Sequence, residues 1–424
     1  MGKKYWFYIE PFVHLVMKKD SLLLYNTYTG KILEYKGNVE ILKLGKRLLA
    51  PRNLRVILLE ETKINQPGIH GFIAEIREHY MGDLLDVSYS QGKPVLMPPI
   101  VKNQMEVKYL IEGEDRSTGE DIMAYLTEVT LYLNDYCGQG CFVCREAFKQ
   151  FLCCTAKNRG NKELQLEQIR GFFSEIKTSN LARVNICGGD ILAYREWEGL
   201  IPVLKSLSCE KHYYLHYLNL LEHKNRLENF TAENSLLTII VDVPMPEDKF
   251  CAALEAARQW IAGIKVMFII RDSGDFEAAE SLAATYGIEN TAYIPFYDGN
   301  NLPFFEQNLF ITREELEGYR ISAREIYTRG VVNPLDFGRL VIFPDGDVYA
   351  NVNDPALGNL GKDSLYNLLS KELVNGKSWR KTRKKVKPCR SCLFSELCPP
   401  ISNYSRHIKR YNFCTLYNPP FHFS

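Results

Sequence analysis

The chain has 424 residues, of which 46% are apolar and 24% charged, the balance of a globular protein with a well-filled core. At roughly 100–200 residues per domain this is room for about three domains. Its net charge of +1 gives no bulk attraction to nucleic acid or to an anionic membrane surface, and neither is expected as a partner. No apolar stretch is long and charge-free enough to span a bilayer. The opening MGKKYWFYIEPFVHLVMKKD mixes charge into apolar residues where a signal peptide needs an unbroken apolar core, so a cytoplasmic location is expected.

Residues 1–120 read as a small α+β module. VHLVMKK, SLLLYNT and TGKILEYKG are runs of strand length, and NVEILKLGKRLL and GIHGFIAEIREHYM carry apolar residues at helical spacing. Three strands followed by helices suit a winged-helix-like domain. From 125 to 297 the pattern alternates. EVTLYLN, ARVNICG, HYYLHYLNL, LLTIIVDVP, IKVMFIIRD and NTAYIPFYD are strand-like. ELQLEQIRGFFSEIKTS, REWEGLIPVLKSL, LEHKNRLENF, PEDKFCAALEAARQW and GDFEAAESLAATYG between them are helix-like. The alternation implies parallel βαβ units, an α/β fold with a partial (βα)6 barrel whose ligands sit at the C-terminal strand ends. Residues 298–424 open with an irregular Phe-rich connection. A hairpin follows, GRLVIF and VYANV about a PDGD turn with Gly346 at positive φ, then the helix KDSLYNLLSKELV and a cysteine-dense tail.

Twelve cysteines in a reducing compartment are buried thiols or metal ligands more readily than disulfides. Cys153, Cys154, Cys187, Cys209 and Cys251 lie in or beside apolar elements and read as small buried hydrophobes. The others form two tight clusters. Cys137, Cys141 and Cys144 follow the first strand of the alternating region in the loop CGQGCFVC, where Gly138 and Gly140 let the chain curl closely. Three thiolates on such a loop can hold three irons of a [4Fe–4S] cube and leave the fourth open to a small chelator. A zinc ion closed by Cys153 or Cys154 is the competing reading. In the tail, Cys389, Cys392, Cys398 and Cys414 offer four thiolates in a segment with too little apolar content to fold without a metal; a cluster and a zinc ion both fit that set.

The x3/x2 loop after a first strand resembles the radical SAM superfamily, in which the open iron takes the amino and carboxylate groups of S-adenosylmethionine. That resemblance implies reductive cleavage of the cofactor to a 5′-deoxyadenosyl radical and hydrogen abstraction from a substrate. Gly188-Gly189-Asp190 stands where the family has Gly-Gly-Glu facing the methionine amine. Asn219, ending the third strand, stands where it often has Thr-Asn-Gly. Val143 takes the place of the usual aromatic against adenine, with Phe142 one position earlier. The tail is similar to the SPASM extension of peptide maturases. Asn351 and Ser402 occupy places where a further auxiliary cluster needs cysteines, which implies a single auxiliary [4Fe–4S] cluster on Cys389, Cys392, Cys398 and Cys414. The opening and the tail together look like the pseudo-radical-SAM proteins of the GG-Bacteroidales peptide system.

The resemblance implies a peptide-modifying enzyme acting on a ribosomal precursor peptide, with an electron donor such as a flavodoxin or ferredoxin. The alternative is a pseudoenzyme that presents the peptide to a second radical SAM maturase. Catalytic residues beyond the cofactor-binding set are not named by the sequence.

Overall fold

The computed structural model describes residues 2–90, 92–95, 122–154, 160–176, 179–229 and 234–416. The end of the expected N-terminal module, 96–121, lies outside the described residues. A nine-stranded sheet dominates, its strands in spatial order Thr291–Pro295, Ile264–Ile270, Ser235–Asp242, Glu210–His216, Arg183–Cys187, Glu128–Tyr132, Arg339–Ile342, Asp347–Tyr349 and Gly358–Asn359. The strands β7 (Glu128–Tyr132), β8 (Arg183–Cys187), β9 (Glu210–His216), β10 (Ser235–Asp242), β11 (Ile264–Ile270) and β12 (Thr291–Pro295) are the six expected runs. They lie side by side in chain order, each parallel to the next.

Both faces of these strands are covered, which is why the runs are apolar throughout instead of alternating. Leu237, Ile239 and Val241 of β10, with Val266, Phe268 and Ile270 of β11, face the helices. Their sequence neighbours Ile240, Met267 and Ile269 face the opposite side, where Val143, Ala147, Cys153 and Cys154 pack on them. The helix Glu247–Trp260 shows how the outer layer is built. Phe250, Ala253, Leu254 and Ala257 recur at helical spacing and are buried, and Glu247 and Asp248 sit in the first turn where the helix dipole favours an acid. Burying each large apolar side chain of this kind contributes about 1.5–3 kcal/mol.

The N-terminal part contains the expected strands β2 (Val13–Lys18), β3 (Ser21–Asn26) and β4 (Ile32–Lys36) as one antiparallel sheet, with the helices Val39–Leu49 and Pro67–Glu78. It also holds a second sheet, β5-β1-β6, formed by β1 (Lys4–Ile9), β5 (Val56–Glu60) and β6 (Gly82–Asp86), which the sequence reading lacks. VILLE runs directly into the helix Glu61–Ile64, so no turn signal separates strand from helix.

Three further corrections arise. The Phe-rich connection is not irregular: it carries the helices Leu302–Asn308, Arg313–Gly318 and Ala323–Val331, the last two opened by capping boxes at Thr312 and Ser322. LEHKNRLENF is not one helix but the end of the helix Tyr217–Glu222 followed by a 3-10 segment, Lys224–Asn229. Asn219 does not end a strand. β9 stops at His216, whose side chain accepts the Leu218 N–H and turns the chain into Tyr217–Glu222, placing Asn219 in the first turn of that helix.

The hairpin forms as β13 (Arg339–Ile342) and β14 (Asp347–Tyr349), extended by β15 (Gly358–Asn359), and Gly346 takes φ of 82°. β13 pairs parallel with β7 and joins the C-terminal part to the main sheet. The N-terminal sheet rests on that C-terminal part. Leu23, Tyr25 and Ile32 share one apolar cluster with Leu316, Ile321, Ile326, Leu393, Phe394, Leu397 and Cys398. The Tyr25 hydroxyl donates to the Tyr319 carbonyl at 3.0 Å and accepts the Ile321 N–H at 2.7 Å.

Candidate metal centres

The loop bearing Cys137, Cys141 and Cys144 leaves the C-terminal end of β7. Gly140 has φ of 66°, in the left-handed region that glycine enters without strain. Next to it runs the turn after β8. Asn134 fastens the two: its amide donates to the Asp190 carbonyl at 2.6 Å, and its oxygen accepts the Asp190 N–H at 3.2 Å. Gly189 is needed because a Cβ there would lie 2.0 Å from the Tyr136 carbonyl oxygen. The helix Tyr217–Glu222 closes a third side. The Asn219 amide donates to the Gly189 carbonyl at 3.1 Å and reaches the Cys137 Sγ at 3.6 Å. The Asn219 oxygen is buried and has no hydrogen-bond partner, an orphaned acceptor beside the thiol loop.

Three of the residues expected to hold a cofactor are therefore brought together with the loop: Gly188, Gly189 and Asn219. The other two are engaged elsewhere. The Asp190 carboxylate caps the short 3-10 segment Ile191–Ala193, Oδ1 accepting the N–H groups of Leu192 and Ala193 at 3.1 and 3.4 Å. Its Oδ2 lies 3.1 Å from His223 Nε2. Burial raises the Asp190 pKa, while His223 and the two N–H groups pull the other way. Val143 is only 3% exposed and packs among Ile240, Met267, Ile269 and Phe296. Its neighbour Phe142 is exposed instead, under the Arg271 guanidinium at 4.8 Å and edge-on to Phe296.

The second cysteine set also converges. Cys389, Cys392, Cys398 and Cys414 line one small cavity with Ile311, Pro388, Ser395, Asn412 and Phe413, closed by Arg383. The strand-like bridge between Ile311 and Cys414 brings the last cysteine to the other three. Arg383 approaches the Cys389 Sγ at 3.6 Å. Burial pushes the Cys392 thiol up to about 11 and the Cys398 thiol up to about 12, and neighbouring thiols add to both. Four thiols lining one cavity, two of them buried, are a donor set that fits a metal centre.

Ligand-type side chains also meet outside the two cysteine sets. Among the described residues, two groups have ligand atoms within 4.8 Å of one another, Cys141/His216/Asp242 and Asp190/Glu222/His223. Neither was found by sequence reasoning. His216 and Asp242 are the last residues of β9 and β10, and a polar side chain ending an apolar parallel strand is the signal that marks them.

The positions Asn351 and Ser402 belong to a different construction. Asn351 is buried and its amide donates to Asp336 Oδ1 at 2.7 Å and to Asn403 Oδ1 at 2.8 Å. Ser402 caps the helix Asn403–His407. The buried Arg406 pairs with Asp336 and Asp354, and Asn333 adds a bond of 2.7 Å to Asp336. Nearby, Glu372 has a buried oxygen without a hydrogen-bond partner, and burial with the Asp336 and Asp354 charges raises its pKa to about 7, against a smaller pull from Arg380. A carboxyl raised on folding contributes stability below its unfolded pKa near 4.5 and loses it as pH climbs through about 7. Glu372→Gln is expected to melt higher than the parent chain at pH 8, by up to about 3 kcal/mol, with the difference gone near pH 4.5. Thermal melts across pH 4.5–8 measure it; equal curves at pH 8 would refute the assignment.

No protein-family model matches the chain, and no curated protein matches it. Solved structures do. SuiB of Streptococcus suis bound to its precursor peptide SuiA is similar at 13% identity, over 97% of this chain and 100% of that one, with a TM-score of 0.42. SuiB bound to S-adenosylmethionine is similar at 13% identity over 97% and 99%, with a TM-score of 0.40. The anSMEcpe protein with bound AdoMet and the Kp18Cys peptide is similar at 14% identity over 67% and 95%, with a TM-score of 0.43. Likeness at this level assigns neither activity nor ligand to the chain. Among the described residues no helix is long and apolar enough to cross a membrane.

Proposed function

We propose that the chain is a radical SAM-type, peptide-modifying enzyme of the SPASM group. The reading divides it into an N-terminal module (1–120), a partial (βα)6 barrel (125–297) and a cysteine-rich extension (298–424). It holds an open [4Fe–4S] cluster on Cys137, Cys141 and Cys144 and one auxiliary [4Fe–4S] cluster on Cys389, Cys392, Cys398 and Cys414. The observation that carries it is the three-thiol loop lying against Gly189 and Asn219 at the C-terminal edge of a parallel sheet. When bound, the open cluster supplies reductive cleavage of S-adenosylmethionine, giving the 5′-deoxyadenosyl radical for hydrogen abstraction from a ribosomal precursor peptide.

The chain's own residues have defined tasks in this reading. The three thiolates bind and leave one coordination position open. Gly188 and Gly189 keep side chains out of the space beside the loop, and the orphaned Asn219 oxygen would be free to accept a donor from a bound cofactor. The reducing conditions that keep twelve thiols intact, and an electron donor such as a flavodoxin or ferredoxin, belong to the same cytoplasmic setting.

One observation favours the second reading, a pseudoenzyme that presents the peptide to a separate maturase. Both Asp190 oxygens are already engaged, by two backbone N–H groups and by His223. Anaerobically reconstituted, dithionite-reduced protein incubated with S-adenosylmethionine separates the two. Release of 5′-deoxyadenosine supports the enzyme; a loaded cluster with no release over hours supports the presenting role.

A further inference from the structure

Cys141, His216 and Asp242 meet at the ends of separate elements. His216 Nε2 is 2.8 Å from Asp242 Oδ1 and 3.5 Å from Cys141 Sγ, and the His216 side chain is 3% exposed. Three ligand-type groups this close resemble a mononuclear metal site, but the other ring nitrogen argues otherwise. His216 Nδ1 accepts the Leu218 N–H at 3.3 Å, as the cap of the helix Tyr217–Glu222. An accepting Nδ1 carries no proton, so in the neutral ring the proton sits on Nε2, which then donates and has no lone pair for a metal. That one N–H faces two acceptors, Asp242 Oδ1 at 2.8 Å and Cys141 Sγ at 3.5 Å, so it is shared as a three-centre hydrogen bond with the shorter arm to the carboxylate.

The same helical turn provides a second donor. The Asn219 amide, in a fully buried side chain, reaches the Cys137 Sγ at 3.6 Å while it also donates to Gly189. We infer that the β9-to-helix turn is a hydrogen-bond device that sets the reduction potential of the cluster on Cys137, Cys141 and Cys144. His216 shares its one Nε2–H between Asp242 and the sulfur of Cys141, and Asn219 donates to the sulfur of Cys137. This rests on the cluster reading above and adds its regulation. N–H donors to cluster sulfurs stabilise the more negative reduced state, so they raise the potential. Both residues are positioning residues, since each acts through a thiolate.

The test is an anaerobic, EPR-monitored redox titration of reconstituted protein. The Cys137/Cys141/Cys144→Ala variant identifies which signal belongs to the tail. His216→Phe keeps an aromatic ring and removes the donor; Asn219→Leu removes the other. Each is expected to move the loop cluster's midpoint to more negative potential, the double variant further than either. The tail cluster's midpoint stays put as an internal standard, and His216→Gln, which keeps an N–H donor, recovers part of the shift. Full iron content with unchanged midpoints in both single variants overturns the inference. Loss of the loop cluster's iron in His216→Phe overturns it too, making His216 a ligand, and so does stoichiometric zinc uptake by the apoprotein that His216→Phe abolishes. If the triple cysteine variant keeps all the iron of the parent chain, the cluster reading itself fails, which is a separate result.

Discussion

Anaerobic reconstitution with iron and sulfide is expected to load about eight irons per chain, and replacing Cys137, Cys141 and Cys144 by alanine is expected to leave about four. The loop is the local chelate that makes this effect large. Its three thiols sit on one loop leaving a single strand end, and with all of them gone the ligand-type groups left nearby, His216, Asp242 and Asp190, are already hydrogen-bonded to one another or to His223. S-adenosylmethionine should perturb the spectrum of the parent chain and leave that of the triple variant unchanged. Thermal stability should fall modestly, because Val143 and Ala147 still anchor the segment among Ile240, Met267 and Ile269. Iron near four in both proteins would leave only the tail centre.

Cys398→Ser is expected to have the larger effect on stability, and at a distance. Cys398 is both a member of the four-thiol cavity and part of the apolar cluster that holds Leu23, Tyr25 and Ile32 of the N-terminal sheet. The segments around these thiols are short 3-10 turns, Cys389–Ser391 and Leu393–Glu396, with no long helix or sheet of their own. A metal closing such a segment contributes folding free energy directly, on the order of 10 kcal/mol for structural sites. Without it, the turn that carries Leu393, Phe394 and Leu397 loses its fixed place, and the N-terminal sheet loses its seat. Hydrogen–deuterium exchange should show 389–416 unprotected, together with the Ile321 amide that donates to Tyr25. Tyr25→Phe is the local control: it removes the buried hydroxyl's two hydrogen bonds, costs about 1–3 kcal/mol and keeps the tail iron. Protection of 389–416 unchanged in Cys398→Ser would show that the centre is not structural.

Much of this was legible in the chain because its signals are local. The six strand runs of 125–297 announce themselves by apolar, β-branched content bounded by helical periods, and all six form. Of the two loop glycines expected to let the chain turn, Gly138 and Gly140, it is Gly140 that takes a positive φ. The misses have local causes too. The sheet β5-β1-β6 pairs strands from distant parts of the sequence, one of which merges into a helix without a turn residue. Asn219 reads as strand because LHYLNL is apolar and aromatic throughout; only the capping bond of His216 ends β9 three residues earlier. The capping boxes at Thr312 and Ser322 were present in the sequence as Thr-x-x-Glu and Ser-x-x-Glu, and they are the signal by which those helices could have been found.

The amino-acid sequence by itself determined which thiols exist, that three share one short loop, and that four more fall close together in the tail. Covalent spacing over three or four residues is enough for that, since a short loop can close on a cluster without help from the rest of the fold. Only the tertiary structure decided what surrounds those thiols. His216 and Cys141 are 75 positions apart, and Asn219 and Cys137 are 82 apart. Their meeting depends on the order and register of parallel strands, and no local pattern encodes it. The same holds for Tyr25 and Ile321, 296 positions apart, which join the N-terminal sheet to the cysteine-rich tail. Long-range contacts of this kind are specified by the packing of whole faces, so the partners of each thiol became visible only once those faces were assembled.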